Sequence, residues 1–173
     1  MSLRGHTTAQ LRAVEHARRL FLDDRHEHGC AETTLVALKT ALELEEPDDA
    51  SPAMAFNRGV AYSGGVCGAI SGAALALGLI AGRRVADHGT AKRIARELTA
   101  ELMGEFLASF PSIDCRVLIG TDLGTRDQHD AFLTSGVWRD RCMRQIEFTV
   151  AWAAILGRRE AWDAAVARLD TRS

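Results

Sequence analysis

Four cysteines, Cys30, Cys67, Cys115 and Cys142, carry the chemistry open to this chain. No two of them form a CxxC pair, so neither a thioredoxin-type motif nor a zinc ribbon is present. Any shared site has to be assembled by the fold from distant segments. Cys67 stands in Ser63-Gly64-Gly65-Val66-Cys67-Gly68-Ala69-Ile70-Ser71-Gly72, which reads as a tight turn feeding a closely packed helix. Glycine admits positive φ and lets other groups come near. Gly65, Gly68 and Gly72 are therefore the positions expected to give clearance around Cys67 for a neighbouring backbone, thiol or cofactor.

The patterning places Cys30, Cys67 and Cys115 within or just ahead of the first turn of a helix. Unpaired N–H groups and the helix dipole favour an anion there, so each thiol is expected to titrate below its ordinary value of about 8.5. Cys142 differs, lying inside a helix on its apolar face. Against the reactive reading stands the ordinary one, in which a free cysteine packs as a small hydrophobe. His26 and His28 could add ligands beside Cys30, since His26 and Cys30 are four apart, but Gly29 interrupts a shared helix face. Asp114 and Asp122 read as capping and turn residues. Ser71 has no visible His/Asp partners for a hydrolase. Arg139-Asp140-Arg141 reads as a solvated face whose charge would favour a Cys142 thiolate.

The elements that must position these residues are helices. Leu11, Val14, Phe21 and Leu22 give an amphipathic helix over residues 8–28, with Gly29 as its C-cap. Cys30 opens a second helix through Leu35, Leu38 and Leu42, and the acidic, proline-containing stretch 45–52 is a loop. A short helical piece over 52–62 leads into the glycine turn and a helix over 69–81. Thr90 is an N-cap candidate for the clearest helix, in which Ile94, Leu98, Leu102, Phe106 and Phe110 recur every four residues up to Pro111. Ser112 is a candidate cap for a short helix containing Cys115. Further helices are expected over 126–135, 137–156 and 160–169. No segment alternates with period two, which predicts an all-α, single-domain bundle of six to eight helices spanning residues 1–173.

The chain has 173 residues, 47% of them hydrophobic and 25% charged, with a net charge of −2. No basic stripe and few aromatic residues speak for nucleic acid. The longest apolar run, 69–81, falls short of the roughly 18 to 20 residues that span a bilayer, so no membrane insertion is expected. The N-terminus is polar and lacks the apolar core of a signal peptide. The expected location is cytoplasmic, where thiols are kept reduced.

Cys67-Gly68-Ala69-Ile70-Ser71-Gly72 is a literal CGAxxG. Cys30 precedes it, and Phe110-Pro111-Ser112-Ile113-Asp114-Cys115-Arg116-Val117-Leu118-Ile119-Gly120 and Cys142 follow. With this ordered set the chain resembles the C_GCAxxG_C_C family of redox-active proteins over about residues 30–156, leaving the first 29 residues outside. It departs from the family at Asn57-Arg58-Gly59-Val60-Ala61-Tyr62, which stand where the family carries a run of glycines. The resemblance implies redox activity through the four cysteines and a relation to the C-terminal region of split-Soret cytochromes. It makes an iron–sulfur cluster or zinc conceivable, as is no cofactor at all; the absence of CxxCH excludes covalent haem. Two readings follow. In the first, Cys67 and at least one of Cys30, Cys115 and Cys142 form a reversible dithiol with a redox partner, or all four ligate a metal, with His26 as a minor addition. In the second, the chain is a structural zinc-binding or non-catalytic helical module whose Gly/Ala helix packs closely, conceivably in a homodimer.

Overall fold

A computed structural model describes residues 5–171; residues 1–4 and 172–173, including the start of the polar N-terminal stretch, lie outside the described residues. Among the described residues eight α-helices follow in order: α1 (Thr8–Phe21), α2 (Cys30–Ala41), α3 (Gly68–Arg84), α4 (His88–Ser109), α5 (Cys115–Ile119), α6 (Arg126–Ser135), α7 (Val137–Ala154) and α8 (Arg159–Asp170). Two 3-10 helices, Ser51–Phe56 and Ile155–Gly157, complete the set. Among the described residues no strand forms, and one isolated antiparallel bridge joins Val66 to Asp114. The architecture is an all-α bundle.

The bundle is built around α2. Every residue from Ala31 to Lys39 is buried, as befits a helix with neighbours on all sides. It packs against α1, α3 and α7. Two of its buried residues are charged, and both are answered: Lys39 donates to the Asp49 carbonyl at 3.0 Å, and Glu32 accepts from Gly29 N–H at 2.8 Å. Small residues on α3, among them Ala69, Gly72, Ala73 and Ala76, let it lie close against α2. The chain then turns at residues 85–87 and runs back as α4 along α3. Here the four-residue stripe behaves as read: Ile94, Leu98, Leu102 and Phe106 are all buried, and Phe106 stacks on Phe110 and meets Phe148 edge-on.

Three local expectations are corrected. First, α1 stops at Phe21 rather than reaching residue 28. The Asp23 carboxylate takes the Arg25 N–H at 2.8 Å, the Asp23 carbonyl takes the His26 N–H, and His26 sits at φ 53°, which closes a turn and ends the helix. Gly29 is thus the N-cap of α2 and not the C-cap of α1. Second, Asp87 rather than Thr90 caps α4, its carboxylate accepting the Thr90 N–H at 2.8 Å.

Third, the piece read as helical over 52–62 divides. After the 3-10 helix, Arg58, Gly59, Val60, Ala61 and Tyr62 all take left-handed φ values between 49° and 72°. Left-handed backbone costs roughly 1–2 kcal/mol per L-residue, so such a run persists only when its surroundings hold it. The restraints are visible: Ala61 N–H bonds to the Ala55 carbonyl at 2.9 Å, and Gly65 N–H to the Gly59 carbonyl at 3.1 Å. Gly59 is obligatory here, because a Cβ would lie 2.5 Å from the Gly65 nitrogen.

This segment also caps α2 from a distance. Asn57 Oδ1 accepts the Ala31 N–H at 2.9 Å while its Nδ2 donates to Glu32 Oε2 at 2.7 Å. Asn57→Ala removes the cap and one partner of a buried carboxylate, and is expected to lower stability by about 1–2 kcal/mol. Urea denaturation monitored by helical circular dichroism measures it.

Candidate thiol site

The sequence folds so that each cysteine sits at a defined point of an element. Cys30 is the first residue of α2, Cys67 the N-cap of α3, Cys115 the first residue of α5, and Cys142 lies in the second turn of α7. Two helix starts are tied side by side by the short antiparallel pairing. Cys67 N–H donates to the Ile113 carbonyl at 2.8 Å, and Cys115 N–H to the Gly65 carbonyl at 2.7 Å. Gly65 therefore acts as a tether for Cys115 rather than as clearance for a sulfur.

Gly68 and Gly72 do provide clearance, in both cases for α2. A Cβ on Gly68 would lie 2.4 Å from the Cys30 sulfur, and one on Gly72 would lie 2.3 Å from the Ala31 carbonyl oxygen. The Cys30 sulfur thus rests on the backbone immediately after Cys67. The two glycines of CGAxxG are the reason α2 can begin there. Cys142 reaches the cluster from α7, which packs against α2, α3 and α5. One helical step further on, buried Gln145 accepts from the Cys67 thiol at a sulfur–oxygen distance of 3.6 Å.

All four cysteines are free thiols, and only Cys30 is partly exposed; the others are buried. Burial pushes the Cys30 thiol up, opposed by the Arg58 backbone N–H and the Arg58 charge. Burial, with the neighbouring Cys30 as a second cause, drives Cys67 well above the ordinary range and Cys115 up to about 12. Cys142 is likewise driven well up by burial and then by Cys30, Cys67 and Cys115. The expectation of easily formed thiolates at helix N-termini is therefore overturned. The Ala69 and Ile70 amides do favour a Cys67 thiolate, but removal from water outweighs them. Thiol after thiol, the neighbour acting most strongly is Cys30.

A cavity of about 160 Å³ opens beside this cluster, lined by Cys30, Cys142, His26, Asn57, Arg58 and Trp138 among others. Trp138 packs edge-on to both Phe21 and His26, with ring centroids 5.3 and 4.9 Å away. Arg58 is the cation that acts on Cys30, Cys115 and Cys142. The Arg139-Asp140-Arg141 run does not fill that role. Arg139 lies over the Trp138 ring, and Arg141 donates to the Ile119 carbonyl at 2.6 Å. Asp114 precedes α5 without capping it through its side chain, and Asp122 is exposed.

Four thiolates have the donor chemistry of a zinc or iron–sulfur site. Among the described residues, however, no group of three or more His, Cys, Asp or Glu side chains is arranged to hold a metal ion. His26 shares no helix with Cys30, lying instead in the turn after α1. The residues as placed do not fit a metal centre.

Arg58, Asn57 and Gln145 belong to the site but are not singled out by sequence pattern. For Gln145 a signal exists, since it is a polar residue next to the apolar stripe of Cys142, Ile146 and Val150. For Arg58 and Asn57 the signal is the departure from the family's glycine run at residues 57–62; their roles follow only from the fold, in which Arg58 takes left-handed φ and Asn57 directly precedes it.

Among the described residues no helix is long and apolar enough to cross a membrane. No curated protein and no solved structure matches the chain. The sequence model of the family described as "Putative redox-active protein (C_GCAxxG_C_C)" matches residues 28–156, and the chain belongs to that family.

Proposed function

We propose that this chain is a thiol redox protein in which Cys30 and Cys142 cycle between dithiol and disulfide. One observation carries the reading: Cys30 is the partly exposed thiol, and its sulfur lies against Gly68 beside Cys67 and shares a cavity with Cys142. Oxidation removes one hydrogen from each thiol. Two electrons and two protons pass to a partner disulfide, which becomes two thiols. Cys67 and Cys115, tied together deeper in the bundle, form a second layer able to exchange with the first. The raised thiols mean that the reduced form rests protonated and that thiolate is a minor species at neutral pH.

The test is oxidation of fully reduced protein by a low-mass disulfide, followed by peptide mapping. The expected product has lost two hydrogens and carries a Cys30–Cys142 link. Four free thiols after treatment, or a link that leaves Cys30 free, overturns the proposal. The pH dependence is also fixed in sign. A thiol raised above its ordinary range ionises only as pH climbs through the raised value. Alkylation of native protein is therefore expected to keep accelerating above pH 9, where the urea-unfolded chain has begun to level off. Thiol-dependent stability, full below pH 9, falls as pH rises toward 12.

A further inference from the structure

We propose that the cavity beside Cys30 is a docking site for a small disulfide or thiol bearing a carboxylate, with Arg58 as the group that holds the carboxylate. The inference rests on the dithiol reading and names the class of molecule with which the site exchanges electrons. Three features of the cavity point to it.

The first is unmatched positive charge. Arg58 lines the cavity with its Nε buried and without a hydrogen-bond partner. Among the described residues no ion pair involves Arg58. Leaving a buried guanidinium donor unmatched is costly, and a carboxylate is the partner whose geometry suits it. The carboxylates that share the cavity are already engaged. Glu27 pairs with Arg25 at 3.2 Å, and Glu32 Oε2 takes the Gly29 N–H and the Asn57 amide. The guanidinium is steadied by the Tyr62 ring, over which it lies 5.3 Å from the centroid. The Arg58 backbone is held in the left-handed region at φ 57°, which fixes residue 58 in the cavity lining.

The second is shape. A cavity of about 160 Å³ receives a small molecule, not a protein surface, and its walls include Phe21, Phe132 and Trp138. These apolar rings suit the methylene part of a small thiol, while the polar side suits its carboxylate. The third is the placement of the reacting atoms. Cys30 and Cys142 both line the cavity, so a bound disulfide meets the attacking thiol and the resolving thiol together.

The exchange balances. Cys30 thiolate attacks one sulfur of the bound disulfide, a Cys30–ligand disulfide forms as the original S–S bond breaks, and the departing thiolate takes a proton. Cys142, having lost its proton, then attacks the Cys30 sulfur. The second small thiol leaves with a proton, and the protein holds the Cys30–Cys142 disulfide.

The experiment compares initial rates of thiol loss with three small disulfides of different charge: 3,3′-dithiodipropionate, 2-hydroxyethyl disulfide and cystamine. In the full-length reduced protein the anionic probe is expected to outpace the neutral one by about tenfold, and the cationic probe to be slowest. Arg58→Gln is expected to bring the anionic-to-neutral ratio close to one, and Arg58→Lys to retain part of it. Using the ratio cancels any effect of Arg58 on the Cys30 thiol itself. Equal rates with all three probes, or a preference that survives in Arg58→Gln, overturn the docking site while leaving the dithiol reading standing. Should no probe oxidise the protein, the dithiol reading fails and the docking site with it.

Discussion

Gly72→Ala is expected to destabilise the protein by about 1–2 kcal/mol net, although alanine is the better helix former. The new Cβ would stand 2.3 Å from the Ala31 carbonyl oxygen and 3.0 Å from the Thr34 Cβ. The first obstacle is backbone of the most buried helix in the bundle and cannot rotate aside. Either α2 moves or α3 does, and overpacking of this kind costs about 1–3 kcal/mol. Set against it is the propensity gain of up to about 1 kcal/mol on replacing glycine in a helix. A control on the same helix separates the two effects. Gly78 has nothing within 4 Å of its would-be Cβ, so Gly78→Ala should show the propensity gain alone and raise stability by up to about 1 kcal/mol. Urea midpoints for the two variants, with opposite signs, check the interpretation. If Gly72→Ala is neutral, the close approach of α2 to α3 is wrong.

Cys30→Ser is expected to suppress disulfide formation by low-mass oxidants by about a hundredfold or more, leaving the other three thiols reduced. The reason is access. Cys67, Cys115 and Cys142 are buried, and each is disfavoured as a thiolate, so oxidant has to be met first at the partly exposed position. A serine hydroxyl occupies similar space but cannot form the mixed disulfide. The fold should survive, because the side chain is only partly buried and the caps of α2 come from Asn57 and Glu32. Thiol titration after oxidant treatment reads the loss, and a thermal melt confirms that structure is retained. Cys115→Ser should oxidise at close to the parent rate. If Cys30→Ser oxidises as fast as the parent, another thiol leads and the proposed order is wrong.

Much of this arrangement is legible in the chain. The α4 stripe, the helical start at each of Cys30, Cys67 and Cys115, and the crowding implied by Gly68 and Gly72 follow from local pattern. Local pattern could not supply the titration of the thiols. A helix N-terminus acts over one turn, whereas burial is decided by every helix that closes over the sulfur, and here burial prevails. The residue types of the left-handed run do not announce it either; the glycines that the resembled family carries at these positions do. Arg58, Val60, Ala61 and Tyr62 have no preference for positive φ, and Val60 resists it; only tertiary restraint puts them there. The early end of α1 is an intermediate case, since the Asp23–Arg25 turn is readable once the amphipathic pattern stops at Leu22.

The antiparallel pairing of residues 65–67 with 113–115 has a consequence for how the protein matures. It closes a long loop that contains the whole α3–α4 hairpin, a closure with a substantial entropic cost for a disordered chain. Once the hairpin has packed, its two ends are already adjacent and the closure is nearly free. Cys67 and Cys115 are therefore expected to become neighbours only once α3 and α4 have packed. Until then each behaves as an ordinary thiol, more acidic and more reactive than in the finished molecule. Folding itself quiets the cysteines, so a chain on the ribosome or one caught half-assembled is the form most vulnerable to damage by oxidants.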